Sequence, residues 1–251
     1  MKRIESIKNE RIRAWKKLQT RKGREKSGRF LIEGAHLIEE ALRAGVDVET
    51  ILIEEGVAFP IEHRKRIETI IVSAAVMKEL SETKSPRGII AVCRTLKRKP
   101  VDVQTAMFLL VDRIQDPGNL GTVIRTADSA GVRAIFLGEG TVDVYNSKVI
   151  RASQGSLFHV PFVYASLPDI ITELKRAKIP VYGTALREAI PYTNIHKGDS
   201  FALLVGNEGE GVHRDLLRQT DANLFIPIYG KAESLNVAVA TGILLYSLRQ
   251  P

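Results

Sequence analysis

Three stretches of this chain end an apolar run in a polar corner, and the side chains at those corners are the ones able to do chemistry. Residues 111–131, VDRIQDPGNLGTVIRTADSAG, carry Asn119 and Arg125. Residues 203–212, LLVGNEGEGV, carry Asn207 and Glu208 among Gly206, Gly209 and Gly211. Residues 225–248, FIPIYGKAESLNVAVATGILLYSL, carry Ser234, Leu235 and Asn236 and read as a buried strand, a turn and a small-residue helix. Where a strand feeds a helix through a polar corner, backbone amides and carbonyls stand free for a ligand, so three such corners point to one composite pocket. Covalent catalysis is not expected, because Ser153, Ser156 and Cys93 have no nucleophile-elbow or histidine partner pattern. His36, His63, His159, His196 and His213 show no ligand spacing, and no metal is expected.

Those corners need a scaffold. Beyond residue 105, apolar strand-like runs (AMFLLVD, AIFLG, PFVYA, VYGTAL, FALLVGN, NLFIPI) alternate with helical patterns such as LPDIITELKRAK and HRDLLRQT. That alternation predicts a parallel sheet covered by helices. Earlier, RFLIEGAHLIEEALRAGVDVETILIEE gives strand, amphipathic helix, Gly45 stop and strand, and IETIIVSAAVMKELSETKSPRGIIAVCR completes a small α/β unit. Between them, LKRKPVDVQT combines a charge run, Pro100 and no apolar period, as linkers do. The expected organisation is a basic arm and small α/β domain over 1–97, a linker over 98–104, and an α/β parallel-sheet domain over 105–251.

A chain of 251 residues with 44% hydrophobic content has ample core for one large domain or two modest ones. No run approaches the ~18 apolar residues of a membrane span, and the start MKRIESIKNERIRAWKK lacks the apolar region of a signal peptide, so a cytoplasmic protein is expected. The single cysteine, Cys93, cannot form an internal disulfide and reads as a buried strand residue in GIIAVCR. The net charge of +8 is confined to one end: residues 1–29 hold twelve Lys or Arg against Glu5, Glu10 and Glu25, and the rest is close to neutral. Such an arm suits a polyanion, with a solvated helix or frayed tail as the alternative.

A parallel sheet of this size invites a nucleotide-derived ligand beyond the carboxyl ends of its strands. A dinucleotide or P-loop site would place its glycine-rich turn directly after the first strand, or offer Gly-Lys-Ser/Thr, and neither pattern is present. The glycine-rich loop comes late, as Gly206-Asn207-Glu208-Gly209-Glu210-Gly211, and its two carboxylates would repel a phosphate. A cationic, phosphate-free cofactor fits that loop better, and S-adenosylmethionine is such a ligand.

The residues here reach a family. The chain resembles the SpoU (TrmH) type RNA 2′-O-methyltransferases of the SPOUT class on three motifs in order: Asn119-Leu120-Gly121-Thr122-Val123-Ile124-Arg125-Thr126-Ala127, then Val205-Gly206-Asn207-Glu208-Gly209-Glu210-Gly211, then Ile226-Pro227-Ile228 with Glu233-Ser234-Leu235-Asn236-Val237-Ala238-Val239-Ala240. The likeness covers about 105–251 as the catalytic domain and, more loosely, about 28–95 as a small substrate-binding domain; Ala238 departs from the serine of many relatives. The resemblance implies S-adenosylmethionine as cofactor, a C-terminal trefoil knot that composition could never show, and a homodimer with catalytic residues near or across its interface.

It also implies roles. Arg125, Asn119, Glu208, Ser234 and Asn236 correspond to the catalytic set. Thr184, Leu204, Gly206, Asn207, Gly211, Ile226, Ile228, Ser234, Leu235 and Asn236 correspond to cofactor contacts, several through backbone. The family arginine is proposed to activate the ribose 2′-hydroxyl; since a guanidinium stays protonated, Arg125 is read instead as an electrostatic partner of a phosphate and the developing alkoxide. The proton would go to Glu208 or to water. Asn119 is open to two readings, as a holder of Arg125 or the ribose, or as a helix cap, and capping of the last helix stays open for Ser234. Arg11, Arg13, Lys16, Lys17, Arg21, Lys22, Arg24 and Arg29 are candidate RNA contacts in the arm, with Lys84 and Arg87 added from the loop SETKSPRG. Ribosomal RNA is expected as substrate, since a discrete N-terminal domain resembles that of the rRNA-directed members. The alternatives are a tRNA 2′-O-methyltransferase, a noncatalytic RNA-binding or assembly protein on the same scaffold, and a different nucleotide-binding α/β enzyme.

Overall fold

The computed structural model describes residues 2–58, 67–83, 85–96, 101–103 and 106–250. Its contacts divide the chain into two units, Met1–Lys97 with Tyr145–Phe158, and Arg98–Val144 with His159–Pro251.

In the first unit the order is β1 (Lys2–Ile4), α1 (Glu10–Lys16), α2 (Arg21–Ser27), β2 (Arg29–Glu33), α3 (Ala35–Arg43), β3 (Val48–Glu54), β4 (Glu68–Val72), α4 (Ala74–Leu80) and β5 (Ile89–Arg94). The five strands form one sheet in the order β1-β4-β3-β5-β2, with β1, β4 and β3 parallel and β5 antiparallel to both its neighbours. Residues 2–27 are therefore neither an arm nor a frayed tail. Lys2, Arg3 and Ile4 pair with Ile70, Ile71 and Val72, and Ile12, Trp15 and Leu18 are buried in a core with Leu52, Ile70, Met77 and Ile90. Local sequence sets the helices: Asn9 accepts from the Arg11 N–H, Thr20 accepts from the Gly23 N–H, and Gly28 ends α2 in the left-handed conformation at φ 63°. Cys93 is fully buried in β5, and burial, with Asp47 and Glu49 adding to it, pushes its thiol pKa up, as expected of a packing residue.

The second unit contains β6 (Met107–Val111), α5 (Pro117–Ala130), β7 (Ala134–Leu137), β8 (Phe162–Tyr164), α7 (Leu167–Arg176), β9 (Val181–Thr184), β10 (Ile190–Pro191), β11 (Phe201–Val205), α8 (Arg214–Leu217), β12 (Ala222–Phe225) and α9 (Val237–Leu248); α6 (Ser147–Ser153) belongs to the first. Its sheet is parallel throughout, in the order β10-β12-β9-β11-β6-β7-β8. The central strands β6, β7 and β11 are buried at every position, which is why they read as unbroken apolar runs. Of the expected linker, 101–103 are described, and Val101 and Val103 rest on the core of this unit.

One boundary differs from the sequence expectation. FIPI is not a buried strand: β12 stops at Phe225, and 226–236 run as a loop whose last eight residues are exposed. Pro227 has no N–H to give a strand ladder, so the sheet ends just where the third motif begins.

Candidate active site

The three motif loops leave the same edge of the parallel sheet. Leu204 of β11 pairs with Gly183 of β9, and Thr184 of β9 pairs with Leu224 of β12, so the chain after Val205, Thr184 and Phe225 emerges at the carboxyl ends of adjacent strands. β6, which leads to the first motif, lies on the other side of β11.

Side chains stitch the loops together. Asp116 caps α5 by accepting from the Asn119 N–H at 2.9 Å, and Pro117 follows at the first helical position. The cap is thus Asp116 and not Asn119, which leaves the Asn119 amide free for other partners. Its Nδ2 donates to Glu208 Oε1 at 3.0 Å, and its Oδ1 accepts from Asn236 Nδ2 at 2.9 Å. Asn236, in turn, caps α9 through Oδ1, which accepts from the N–H of Ala238 at 2.9 Å and of Val239 at 3.4 Å. Capping of the last helix therefore falls to Asn236, two residues beyond the Ser234 considered for it. One relay, Asn236 to Asn119 to Glu208, joins third, first and second motifs.

Glu208 is held from three sides, because Oε1 also accepts from the Asp116 N–H at 3.0 Å and Oε2 from the Gln115 N–H at 3.2 Å. Partial burial works to raise its pKa. Hydrogen bonds from the Asn119 side chain and from backbone N–H groups outweigh that, and the carboxyl is held below its ordinary value.

The second loop closes on itself: Asn207 and Gly211 exchange backbone bonds at 3.1 and 2.9 Å, and Asn207 Oδ1 accepts from the N–H groups of Gly209 and Glu210. A Cβ on Gly206 would lie 2.2 Å from Val212 N and 2.3 Å from Gly211 C, so only glycine permits this closure. Thr184 Oγ1 donates to the Leu204 carbonyl at 3.1 Å, fixing that hydroxyl between the loops after β9 and β11. Leu204 itself is fully buried and can reach a ligand only through backbone. Ile226 and Ile228 are half-buried, and Leu235 is 37% exposed. Apolar side chains left partly open at the carboxyl edge, beside a glycine loop bearing carboxylates, fit an adenosine-bearing sulfonium better than a pyrophosphate.

Arg125 lies on α5, exposed, and among the described residues its guanidinium has no hydrogen-bond or ion-pair partner. Ser234 is exposed in the loop before α9. Among the described residues no group of three or more His, Cys, Asp or Glu is arranged to hold a metal ion.

The model of the SpoU rRNA Methylase family matches residues 106–246, and that of the MRM3-like substrate binding domain matches 9–91. The chain belongs to the SpoU rRNA methylase family. The resemblance carried by the three motifs is borne out, and with it an enzyme of methyl transfer. The 23S rRNA (guanosine(2553)-2′-O)-methyltransferase RlmP of Bacillus subtilis is 49% identical over 249 residues, 99% of this chain and 100% of that protein. Among solved structures, the AdoMet-bound rRNA methyltransferase from Sinorhizobium meliloti superposes with a TM-score of 0.89 at 30% identity, covering 98% of this chain and 97% of the other. The AdoMet complex of the SpoU methyltransferase AviRb from Streptomyces viridochromogenes gives 0.87 at 29% identity, covering 96% and 97%.

In this methylase the proposed RNA contacts of the first unit divide by what they touch. Arg24 is 5% exposed and donates from Nη1 to the Leu18 carbonyl at 2.8 Å, so it is a structural residue and no surface contact. Arg11 binds Glu68 through both terminal nitrogens, Arg29 binds Glu49, Lys16 pairs with Glu79, and Arg21 binds Glu25. Arg13, Lys17 and Lys22 are exposed and without a side-chain partner among the described residues, as are Lys8 and Lys26 of the same basic segment. Arg87 is exposed beside Gly34, and Lys84 lies outside the described residues. Asp116, the cap of α5, was not among the residues expected here, nor were Asp112 and Arg113, which bond to Glu210 and His213 around the second loop. Asp116 was findable, since Asp before Pro-Gly at the end of an apolar run is a helix-start signal; Asp112 and Arg113 carried no local signal.

Proposed function

We propose that this protein is an S-adenosylmethionine-dependent RNA 2′-O-methyltransferase whose substrate is 23S ribosomal RNA, at the guanosine corresponding to the target of the 49%-identical Bacillus relative. The observation that carries the proposal is the Asn236–Asn119–Glu208 relay, which joins all three motifs at one edge of the sheet, with Arg125 exposed on the same helix as Asn119. Thr184, Gly206, Asn207, Gly211, Ile226, Ile228, Leu235 and the Leu204 backbone would hold the cofactor. When bound, it supplies an electrophilic methyl group.

The protein's own residues do the rest. Arg125 holds the phosphate beside the target ribose and steadies the alkoxide as it develops. Glu208, with its carboxyl held below its ordinary value and occupied by three N–H donors, is read here as the group that orients Asn119, with water taking the hydroxyl proton. Ser234, exposed in the loop before α9, and Asn236 would meet the ribose. The trefoil knot and the homodimer belong to the same proposal. Helix α9 is apolar almost throughout, yet Val239 is 51% and Tyr246 57% exposed, and a second copy would cover that stripe. A cytoplasmic location follows from the substrate; among the described residues no helix is long and apolar enough to cross a membrane.

The test is to incubate the protein with methyl-labelled S-adenosylmethionine and unmodified cellular RNA and to map label by species and 2′-O position. Label on one 23S guanosine is the expected result. Label on transfer RNA would move the substrate to the tRNA alternative, and no label despite binding of cofactor and RNA would make the protein a noncatalytic assembly factor.

A further inference from the structure

Arg113, the second residue after β6, adopts φ 56°, in the left-handed region where glycine is the ordinary occupant and an arginine is strained. Such strain persists only where the surroundings over-determine it, and it marks places with a functional reason to keep the side chain. The surroundings here are specific. Arg113 Nε donates to Asp112 Oδ1 at 3.1 Å and Nη2 to Asp112 Oδ2 at 3.4 Å, while Nη1 donates to Glu210 Oε2 at 2.6 Å. The Arg113 carbonyl accepts from Asn207 Nδ2 at 3.0 Å. Asp112, with its side chain 7% exposed, accepts also from the His213 N–H at 2.8 Å.

Residues 112 and 113 are thus tied to positions 207 and 210 of the second motif loop and to His213 just beyond it, and Glu208 sits between those ties. From there it accepts from the Gln115 and Asp116 N–H groups and from Asn119. Gly would satisfy the backbone at 113 but would remove the side-chain bonds to Asp112 and Glu210, leaving the Asp112 bonds to Val205 and His213, Glu208 and the Asn207 amide to join the loops.

We infer that Arg113 is a positioning residue: with Asp112 and Glu210 it forms a latch that fixes the first motif loop against the second, so that Glu208 can hold Asn119 and, through it, Asn236. This rests on the methyltransferase function proposed above. The planar guanidinium is suited to the task because one side chain bridges two carboxylates along separate N–H directions.

Arg113→Gly removes the latch while relieving the backbone, and Glu210→Gln breaks the outer half without touching φ. Both variants and the double variant would be compared with wild type for kcat and RNA KM at saturating S-adenosylmethionine, for thermal midpoint, and for amide exchange. Arg113→Gly is expected to lower kcat by about tenfold to a hundredfold with RNA KM and thermal midpoint unchanged. Its Gln115 and Asp116 amides should exchange at least about tenfold faster while Leu109 and Leu203 in the strands do not change. The double variant should be no worse than Arg113→Gly alone, as expected of residues in one network. Exchange at Gln115 and Asp116 that stays at the wild-type rate would overturn the latch, as would losses that multiply in the double variant. If wild type itself transfers no methyl group, the functional proposal fails, and the exchange rates still decide the latch.

Discussion

Asn119 is the side chain that joins the three motif loops, since its amide donates a hydrogen bond to Glu208 and accepts one from Asn236. Asn119→Asp keeps its shape and replaces the donor with a carboxylate facing Glu208. Two like charges at about 3 Å raise the pKa of one of them. The pair is repulsive at neutral pH, and as pH falls one carboxyl regains a proton and with it a donor. Activity of Asn119→Asp relative to wild type should therefore be lowest at high pH, about a hundredfold down, and recover in part as pH falls towards 5. A ratio that does not vary with pH would remove the relay from catalysis. Asn119, Glu208 and Asn236 were legible in the sequence as polar residues at loop corners, but not their division of labour, because the cap of each helix lay a few residues from the one considered. Asp112 and Arg113 were illegible: neither a positive φ nor a bond to a backbone N–H about a hundred residues away leaves a mark on local composition.

Elements show the same contrast between local and distant causes. Helices α5 and α9 and the buried strands β6 and β11 were readable because their signals, polar corners and apolar runs, are local. The N-terminal segment was misjudged because β1 has three residues, too few for a period, and pairs with a strand more than sixty residues on. Glu68 at the start of β4 secures that pairing through Arg11 of α1 and Lys2 of β1, with Thr50 of β3 adding a weaker bond. Its hydrogen bonds to Arg11 and then Lys2 lower its pKa from 4.5 to about 2. A depressed carboxylate stabilises the fold above its unfolded pKa and loses that contribution as pH falls through the folded value. Glu68→Gln should thus melt at a lower temperature than wild type at neutral pH, and the gap should close between about pH 4.5 and 2. Thermal midpoints measured across that range check it, and a constant gap would mean that Glu68 does not anchor the segment.

At the scale of the whole molecule, the sequence located the charge, and the structure divides it between ion pairs within the fold and exposed side chains. Twelve basic residues fall within the first 29, yet Lys2, Arg3, Arg11, Lys16, Arg21 and Arg29 are in ion pairs and Arg24 is buried. Fold assembly thus consumes more than half of an apparent polyanion site. The exposed remainder, Lys8, Arg13, Lys17, Lys22 and Lys26, lies along or beside α1 and α2, with Arg13 and Lys17, and Lys22 and Lys26, each one helical turn apart. These are the cations free to displace counterions from a phosphate backbone. Changing Arg13, Lys17, Lys22 and Lys26 together to glutamine should weaken RNA binding at low salt and reduce the slope of log affinity against log salt by about one per lost phosphate contact, with the thermal midpoint unchanged. Arg11→Gln should do the reverse, lowering the midpoint through the loss of Glu68 while leaving the slope nearly as it was. If both variants alter the slope equally, ion pairing in the free protein does not decide which cations meet RNA, and the paired arginines must exchange their glutamates for phosphates on binding.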